Sequence, residues 1–275
     1  MLAIEIAILS DRGGRSYNED ACGHWNSDRH LCCVLADGAG GHGGGDVASR
    51  LAVQTLLERF AEQPTLDGPA LSTLVGQTNE TLIGHRSTDK RLRDMHTTVV
   101  ALVIDFVDAV AHWSHVGDSR LYWFRDDRML QRTRDHSLVQ SLINAGVLTD
   151  EQARGHPRRS ELQSALGIRP EDLTIDASDG HVGVAAGDAF LLCSDGLWEF
   201  VDDPAMEHAL GGAATPDEWL ASLERLVREA ARERASHDNF SAVAVWLVEP
   251  PAEPADAAEG GDAAAPGADS DDAGG

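Results

Sequence analysis

Apolar and polar residues alternate from position 2 to 9, a period of two that predicts a half-buried strand. Residues 31 to 36 are continuously apolar, and 98 to 106 read Thr-Val-Val-Ala-Leu-Val-Ile-Asp-Phe; both runs are expected as core strands. Two further runs, 109 to 116 and 120 to 125, flank Gly117-Asp118-Ser119, a turn signal that predicts an antiparallel hairpin with Asp118 at its tip. Residues 240 to 248 read as a final strand.

Helical periods lie between these runs. From about Asp46, Ala48, Leu51, Ala52, Leu56 and Phe60 fall on one face, and a second helix is expected over about 68 to 85. A third, near 217 to 235, has a strong start: Thr215 can cap, Pro216 takes the first helical position, and Glu218 is placed to complete a capping box. Helices that arrive in pairs between groups of antiparallel strands predict an α+β fold in which sheets pack together with helices outside, not a parallel doubly wound sheet.

The 275 residues are 42% hydrophobic, enough for one large domain. The formal net charge of -24 argues against nucleic acid and anionic membrane as partners, since no basic stripe offsets it. Beyond Pro250 the chain holds only Pro, Ala, Gly, Glu, Asp and Ser, so residues 250–275 are expected as a disordered acidic tail behind a domain of residues 1–249. Cys22, Cys32, Cys33 and Cys193 form no Cys-x-x-Cys pair and read as small hydrophobes of a reduced, cytoplasmic protein. The opening segment lacks a basic leader, and no apolar run approaches the ~18 residues a membrane span needs.

Candidate chemistry sits where apolar runs end. Leu35-Ala36-Asp37-Gly38, His115-Val116-Gly117-Asp118-Ser119, Leu191-Leu192-Cys193-Ser194-Asp195-Gly196 and His237-Asp238-Asn239 each place an acid just past a strand, where several carboxylates brought together would bind hard divalent cations. The loop after the first strand adds Arg15, Glu19 and Asp20. Between Asp37 and Gly45, six of nine residues are glycine, a composition justified only by close backbone approach or positive φ. Such a bare loop exposes the Gly38 carbonyl beside Asp37 and leads into a helix N-terminus. It is not a phosphate-binding P-loop, because no Gly-Lys-Ser/Thr follows.

The motifs NEDA (18–21), ADGAGGHGGG (36–45), HTTV (96–99), HVGDSRLY (115–122), TRDHSL (133–138), HPRRSELQSALG (156–167), LLCSDGLWEF (191–200) and HDNFSAVAV (237–245) occur in the order of the metal-dependent, type 2C serine/threonine protein phosphatases. The chain resembles a bacterial member of that family over roughly residues 5 to 248. The resemblance implies a four-layer α/β/β/α sandwich of two antiparallel sheets flanked by helix pairs, with a two-metal centre in a cleft at one end. It implies that Asp37 bridges two Mn(II) or Mg(II) ions, joined by Glu19, Asp195, Asp238 and the Gly38 carbonyl. It further implies that Asp20 orients metal-bound water, that Arg15 grips the substrate phosphate, and that Asp118 serves a third, weaker ion. An all-oxygen donor set suits Mg(II) or Mn(II) over zinc, and an Arg provides a planar clamp that Lys cannot reproduce.

Some positions depart from the family pattern. Ala39 stands where relatives carry His or Met, which leaves the general acid open; His42 is the nearby candidate. His96 replaces a Gly, and Ser160 an Asn. Residues 137 to 172 match the family's variable flap, whose arginines either contact phosphopeptide flanks or are solvated. The other histidines lack metal-ligand spacing and read as structural or exposed, and Trp113, Trp123, Trp198 and Trp219 read as core.

The implied activity is hydrolysis of phosphoserine and phosphothreonine by direct attack of a water bridging the ion pair, by a monomer that opposes a Ser/Thr kinase. The rivals are a catalytically silent pseudophosphatase that binds phosphoproteins and, less favoured by charge, a two-metal nuclease.

Overall fold

The structure, a computed structural model, describes residues 2–40, 44–64, 67–234 and 236–250. In chain order the strands are β1 (Ala3–Asp11), β2 (Asp20–Asn26), β3 (His30–Ala39), β4 (His96–Thr97), β5 (Val99–Asp105), β6 (Val110–Val116), β7 (Arg120–Arg125), β8 (Arg128–Arg132), β9 (Asp176–Ala177), β10 (Val182–Gly183), β11 (Ala189–Cys193) and β12 (Phe240–Val248). The helices are α1 (Gly45–Glu62), α2 (Gly68–Thr88), α3 (Leu138–Asn144), α4 (Asp150–Arg154), α5 (Asp195–Trp198), α6 (Asp203–Gly211) and α7 (Pro216–Ala230).

Two antiparallel sheets lie face to face. One has the order β1-β12-β11-β7-β8; the other runs β10-β6-β5-β3-β2, with β4 added on β3 and β9 on β6. The alternation within β3 shows how the layers form. Leu31, Cys33 and Leu35 point between the sheets, where Leu102 and Ile104 meet Phe190, Leu192 and Val243. Cys32, Val34 and Ala36 point the other way, onto Ala48, Ala52, Leu56 and Phe60 of α1 and Val75 of α2. On the far side Tyr122, Phe124 and Leu191 pack against Trp219, Leu223 and Val227 of α7. Both faces of the central strands are therefore covered, which is why runs such as 31–36 and 99–104 are apolar at every position. Trp219 is wholly buried, edge-on to Phe124 at 5.4 Å, and its truncation to Ala would cost about 3–5 kcal/mol. The α+β, four-layer expectation holds.

Three local expectations are corrected. The runs 109–116 and 120–125 do not form a hairpin: β6 pairs with β5, β9 and β10 in one sheet, and β7 with β11 and β8 in the other. β6 is buried from Ala111 to Val116 and β7 at Leu121, Tyr122 and Phe124, and Gly117 (φ 99°) carries the chain from one sheet to the other. Asp118 thus lies at a crossover and not at a hairpin tip. Helix α7 ends at Ala230 and continues only as a short 3-10 turn over Ala231–Glu233. At its start Thr215 accepts from the Glu218 N–H as expected, but the Glu218 carboxylate reaches back to Ala214 N–H rather than to that of Thr215.

Helices α3 and α4 lie in the segment 137–172. No helix among the described residues is long and apolar enough to cross a membrane. The tail expectation falls on residues 250–275, which lie outside the described residues apart from Pro250.

Candidate active site

Strand ends bring the predicted acids to one end of the sandwich. Asp20 opens β2 directly opposite Asp37 near the end of β3. Asp195 follows β11 at the start of α5, Asp238 precedes β12, and Asp118 occupies the crossover from β6 to β7. Register explains the convergence: Cys193 pairs with Arg120, Val99 with Val116, and Gly38 with Thr97, so the flanking residues all emerge on the same side.

Each acid is fixed by specific partners. The Asp37 N–H donates to Thr98 Oγ1 at 2.9 Å, while its carbonyl accepts from the Thr97 hydroxyl and the Thr98 N–H, both at 2.8 Å. Gly38 N–H donates to the Glu19 carbonyl at 3.1 Å. A Cβ on Gly45 would lie 2.2 Å from Glu19 Oε1 and 2.8 Å from the Gly38 carbonyl oxygen; glycine is needed there because helix α1 starts against both oxygens. Asp20, 9% exposed, accepts at Oδ2 from the Ser194 hydroxyl at 2.8 Å. Asp238 accepts from Asn239 N–H at Oδ1 and from Arg15 Nη2 at Oδ2, at 2.9 and 2.6 Å.

Several carboxylate oxygens have no such partner. Glu19 Oε1, Asp20 Oδ1 and Asp195 Oδ1 are buried without a hydrogen bond. Burial first, and then neighbouring carboxylates, raise the proton affinity of this group: Asp20 is pushed up to about 6 and Asp118 to about 7, and Asp37 and Asp195 rise well above the ordinary carboxylate range. Orphaned, mutually repelling oxygens with a backbone carbonyl among them fit hard divalent cations. Their spacing is wide, however. Among the described residues the group of three potential ligands with donor atoms all within 4.8 Å of one another is His115, His136 and Asp176, not a set of cleft acids.

The histidine group escaped sequence reasoning because its members are distant in the chain. One nitrogen of each ring is tied to the backbone, while His115 Nδ1 and His136 Nε2 are buried without a hydrogen-bond partner. His136 Nδ1 accepts from Gly117 N–H at 3.2 Å, which puts the ring proton on Nε2, the atom 3.3 Å from Asp176. His115 Nε2 bonds the Arg134 carbonyl at 2.8 Å, and the two rings stack at 4.7 Å. They join β6 to the entry of the flap.

A cleft of about 430 Å³ contains Arg15, Asp195 and Asp238, with Arg159 and Ser160 of the flap on its wall. Arg15, half exposed and beside the acids, is placed to meet an anion entering from solvent. His42 lies outside the described residues. In the sequence Asn239 reads only as a turn residue, yet it organises the Arg15 loop: its side chain accepts from Glu19 N–H at 2.8 Å and donates to the carbonyls of Arg12 and Tyr17 at 2.8 and 3.0 Å. Thr97 and Thr98 were likewise missed, although two threonines ahead of an apolar strand were a signal. Trp198, expected in the core, stands at a cavity wall, with the Arg120 guanidinium 3.6 Å above its ring and its indole N–H on the Asp118 carbonyl.

A double-sheet sandwich with an acid-lined cleft at its strand ends and a guanidinium beside it is the architecture of a metal-dependent phosphatase. The family model described as Protein phosphatase 2C matches residues 10–240, and the chain belongs to that family. Among curated relatives, "Serine/threonine phosphatase stp" of Listeria innocua is 35% identical over 216 residues, covering 76% of this chain and 84% of its own. The crystal structure of the Mycobacterium tuberculosis serine/threonine phosphatase PstP/Ppp superposes with a TM-score of 0.78 at 32% identity, covering 91% of this chain and all of its own. The catalytic domain of PstP solved with two manganese ions gives a TM-score of 0.75 at 31% identity, covering 90% of this chain and all of its own.

Proposed function

We propose that the protein is a serine/threonine protein phosphatase that hydrolyses phosphoserine and phosphothreonine with a pair of Mn(II) or Mg(II) ions. The observation that carries this reading is the set of buried carboxylate oxygens without partners, on Glu19, Asp20 and Asp195, of which Asp195 lines the cleft together with Arg15 and Asp238. Asp37, Glu19, Asp195, Asp238 and the Gly38 carbonyl hold the ions, with Asp118 available to a third. When bound, the ions supply a nucleophilic water at neutral pH and neutralise phosphoryl charge.

The chain's own residues do the rest. Arg15 clamps the phosphoryl oxygens with its planar fork. Asp20, with one oxygen fixed by Ser194 and the other unpartnered, orients the attacking water and accepts its proton. The threonine pair at 97 and 98 holds Asp37 in register so that it can serve both ions. Residues 1–249 form the catalytic domain with its flap at about 137–172, and 250–275 form an acidic tail.

The substrates are phosphoproteins, among them a Ser/Thr kinase and its targets, and the enzyme acts as a monomer. A cytoplasmic setting suits its four free cysteines, three of them buried.

The pseudophosphatase alternative is less well supported, since each acid of the implied ion site is present in the sequence. The test is turnover of a phosphothreonine peptide with Mn(II). Activity should vanish on chelation and fall at least about 10³-fold in Asp195→Asn. Turnover that survives either change removes the proposal.

A further inference from the structure

The catalytic cleft is continuous with a second cavity. Arg159, Glu199 and Arg234 line both the cleft of about 430 Å³ and a neighbouring hollow of about 650 Å³, which lies between flap helices α3 and α4 and the face built by β7 and α5. That volume is within the range of about 300–1,000 Å³ typical of ligand sites. One wall is apolar, formed by Val139, Ile143, Ala153 and the Trp198 ring.

Its charges do not cancel. The lining holds five arginines and four acids. Arg120 binds Asp135 through two hydrogen bonds of 2.8 Å. Arg132 lies between Asp203 and Asp150, at 2.9 and 3.5 Å, and Arg159 binds Glu199 with bonds of 2.7 and 2.9 Å. These three arginines engage every acid of the wall. Arg154 and Arg234 are left with no carboxylate partner among the described residues. Both are exposed, and Arg234 rests over the Phe200 ring at 4.4 Å, a contact that leaves its N–H edge free for an acceptor in the guanidinium plane. In a protein of net charge -24, an excess of cationic groups in a hollow beside the catalytic centre selects for an anion.

We propose that this cavity is a specificity subsite that takes an Asp or Glu side chain of the substrate, a few residues from the phosphorylated serine or threonine, with Arg154 and Arg234 as its binding groups. The proposal rests on the phosphatase reading of the adjoining cleft. A carboxylate entering between the two guanidiniums forms charge-assisted hydrogen bonds, while its methylene stem lies on the Val139 and Ile143 wall. The Arg159–Glu199 pair is the partition between the two anion positions: the phosphate on the Arg15 side and the carboxylate on the other.

The test uses the Mn(II)-loaded full chain and phosphothreonine peptides of one length, with Glu, Ala or Lys two to four residues from the phosphothreonine on either side. The Glu peptide should exceed the Ala peptide in kcat/KM by about tenfold, the difference lying in KM, and the Lys peptide should be poorest. Arg154→Ala should cut the Glu-to-Ala ratio about threefold, Arg154→Lys should restore part of it, and Arg154→Ala with Arg234→Ala should bring it to one. Equal rates on the Glu and Ala peptides, or a preference that survives the double substitution, overturns the subsite. p-Nitrophenyl phosphate separates the two claims. If it is hydrolysed while flanking residues make no difference, the subsite alone falls; if neither it nor any peptide is turned over, the phosphatase reading falls and takes the subsite with it.

Discussion

Arg15 Nη2 donates to Asp238 Oδ2 at 2.6 Å, joining the residue proposed to grip phosphate to an acid proposed to hold a cation. The two partners come from loops more than two hundred residues apart, and each has a competing duty. A cation at Asp238 releases Arg15 towards the phosphate, and Arg15 in turn competes with the cation. Arg15→Ala should therefore bind Mn(II) several-fold more tightly by calorimetry, yet lose about 10–100-fold in kcat/KM on a phosphothreonine peptide. Metal affinity and turnover that fall together would contradict this competition.

A second prediction concerns pH. Asp20 is pushed up to about 6 and Asp118 to about 7, chiefly by burial, from an ordinary value of 3.8. For a group whose folded pKa is raised, the stabilising contribution is complete below the unfolded pKa and is lost as pH rises through the folded one. The loss thus falls between about pH 4 and pH 7, and for Asp20 alone is on the order of 3 kcal/mol. His96, His112 and His115, lowered first of all by burial, act in the opposite sense below their ordinary value of 6.5. They are common to both samples when chelated and Mn(II)-loaded protein are compared. The Tm gain from Mn(II) should grow from pH 5 to pH 7.5, and a gain that is flat or shrinks contradicts the account.

Asn239 is 4% exposed and makes three side-chain hydrogen bonds to backbone groups of residues 12, 17 and 19. Asn239→Ala should cost about 2–4 kcal/mol in urea unfolding, because those backbone groups lose their partner. It should also raise the KM for a phosphopeptide, since the Arg15 loop loses its anchor. Unchanged stability would show that water replaces the amide at little cost.

Two glycines separate close approach from simple flexibility. A Cβ at Gly45 would intrude on Glu19 Oε1 at 2.2 Å, whereas one at Gly84, inside α2, meets nothing within 4 Å. Gly84→Ala should stabilise the protein by up to about 1 kcal/mol through helix propensity. Gly45→Ala should weaken Mn(II) binding at least about tenfold by displacing Glu19 or the Gly38 carbonyl. The two variants need only a thermal melt and a metal titration.

The chain's local pattern carried most of the elements. The alternation in β1, the unbroken apolar runs of β3 and β5, and the Thr215-Pro216 start of α7 are short-range signals, set by which side chains face a core and which backbone groups need a cap. Asp37, Asp118, Asp195 and Asp238 were legible too, because each stands next to an apolar run, and the glycines between 37 and 45 announced a backbone brought close to something. What the sequence could not show was partnership across the chain. That β6 and β7 enter different sheets depends on both of their faces being covered by neighbours far away in sequence. The roles of Asn239, Thr97 and Thr98, the stacking of His115 on His136, and the distribution of acids among Arg120, Arg132 and Arg159 that leaves Arg154 and Arg234 unengaged were decided only by tertiary structure. Periodicity records whether a residue is buried; only packing determines which group waits on the other side.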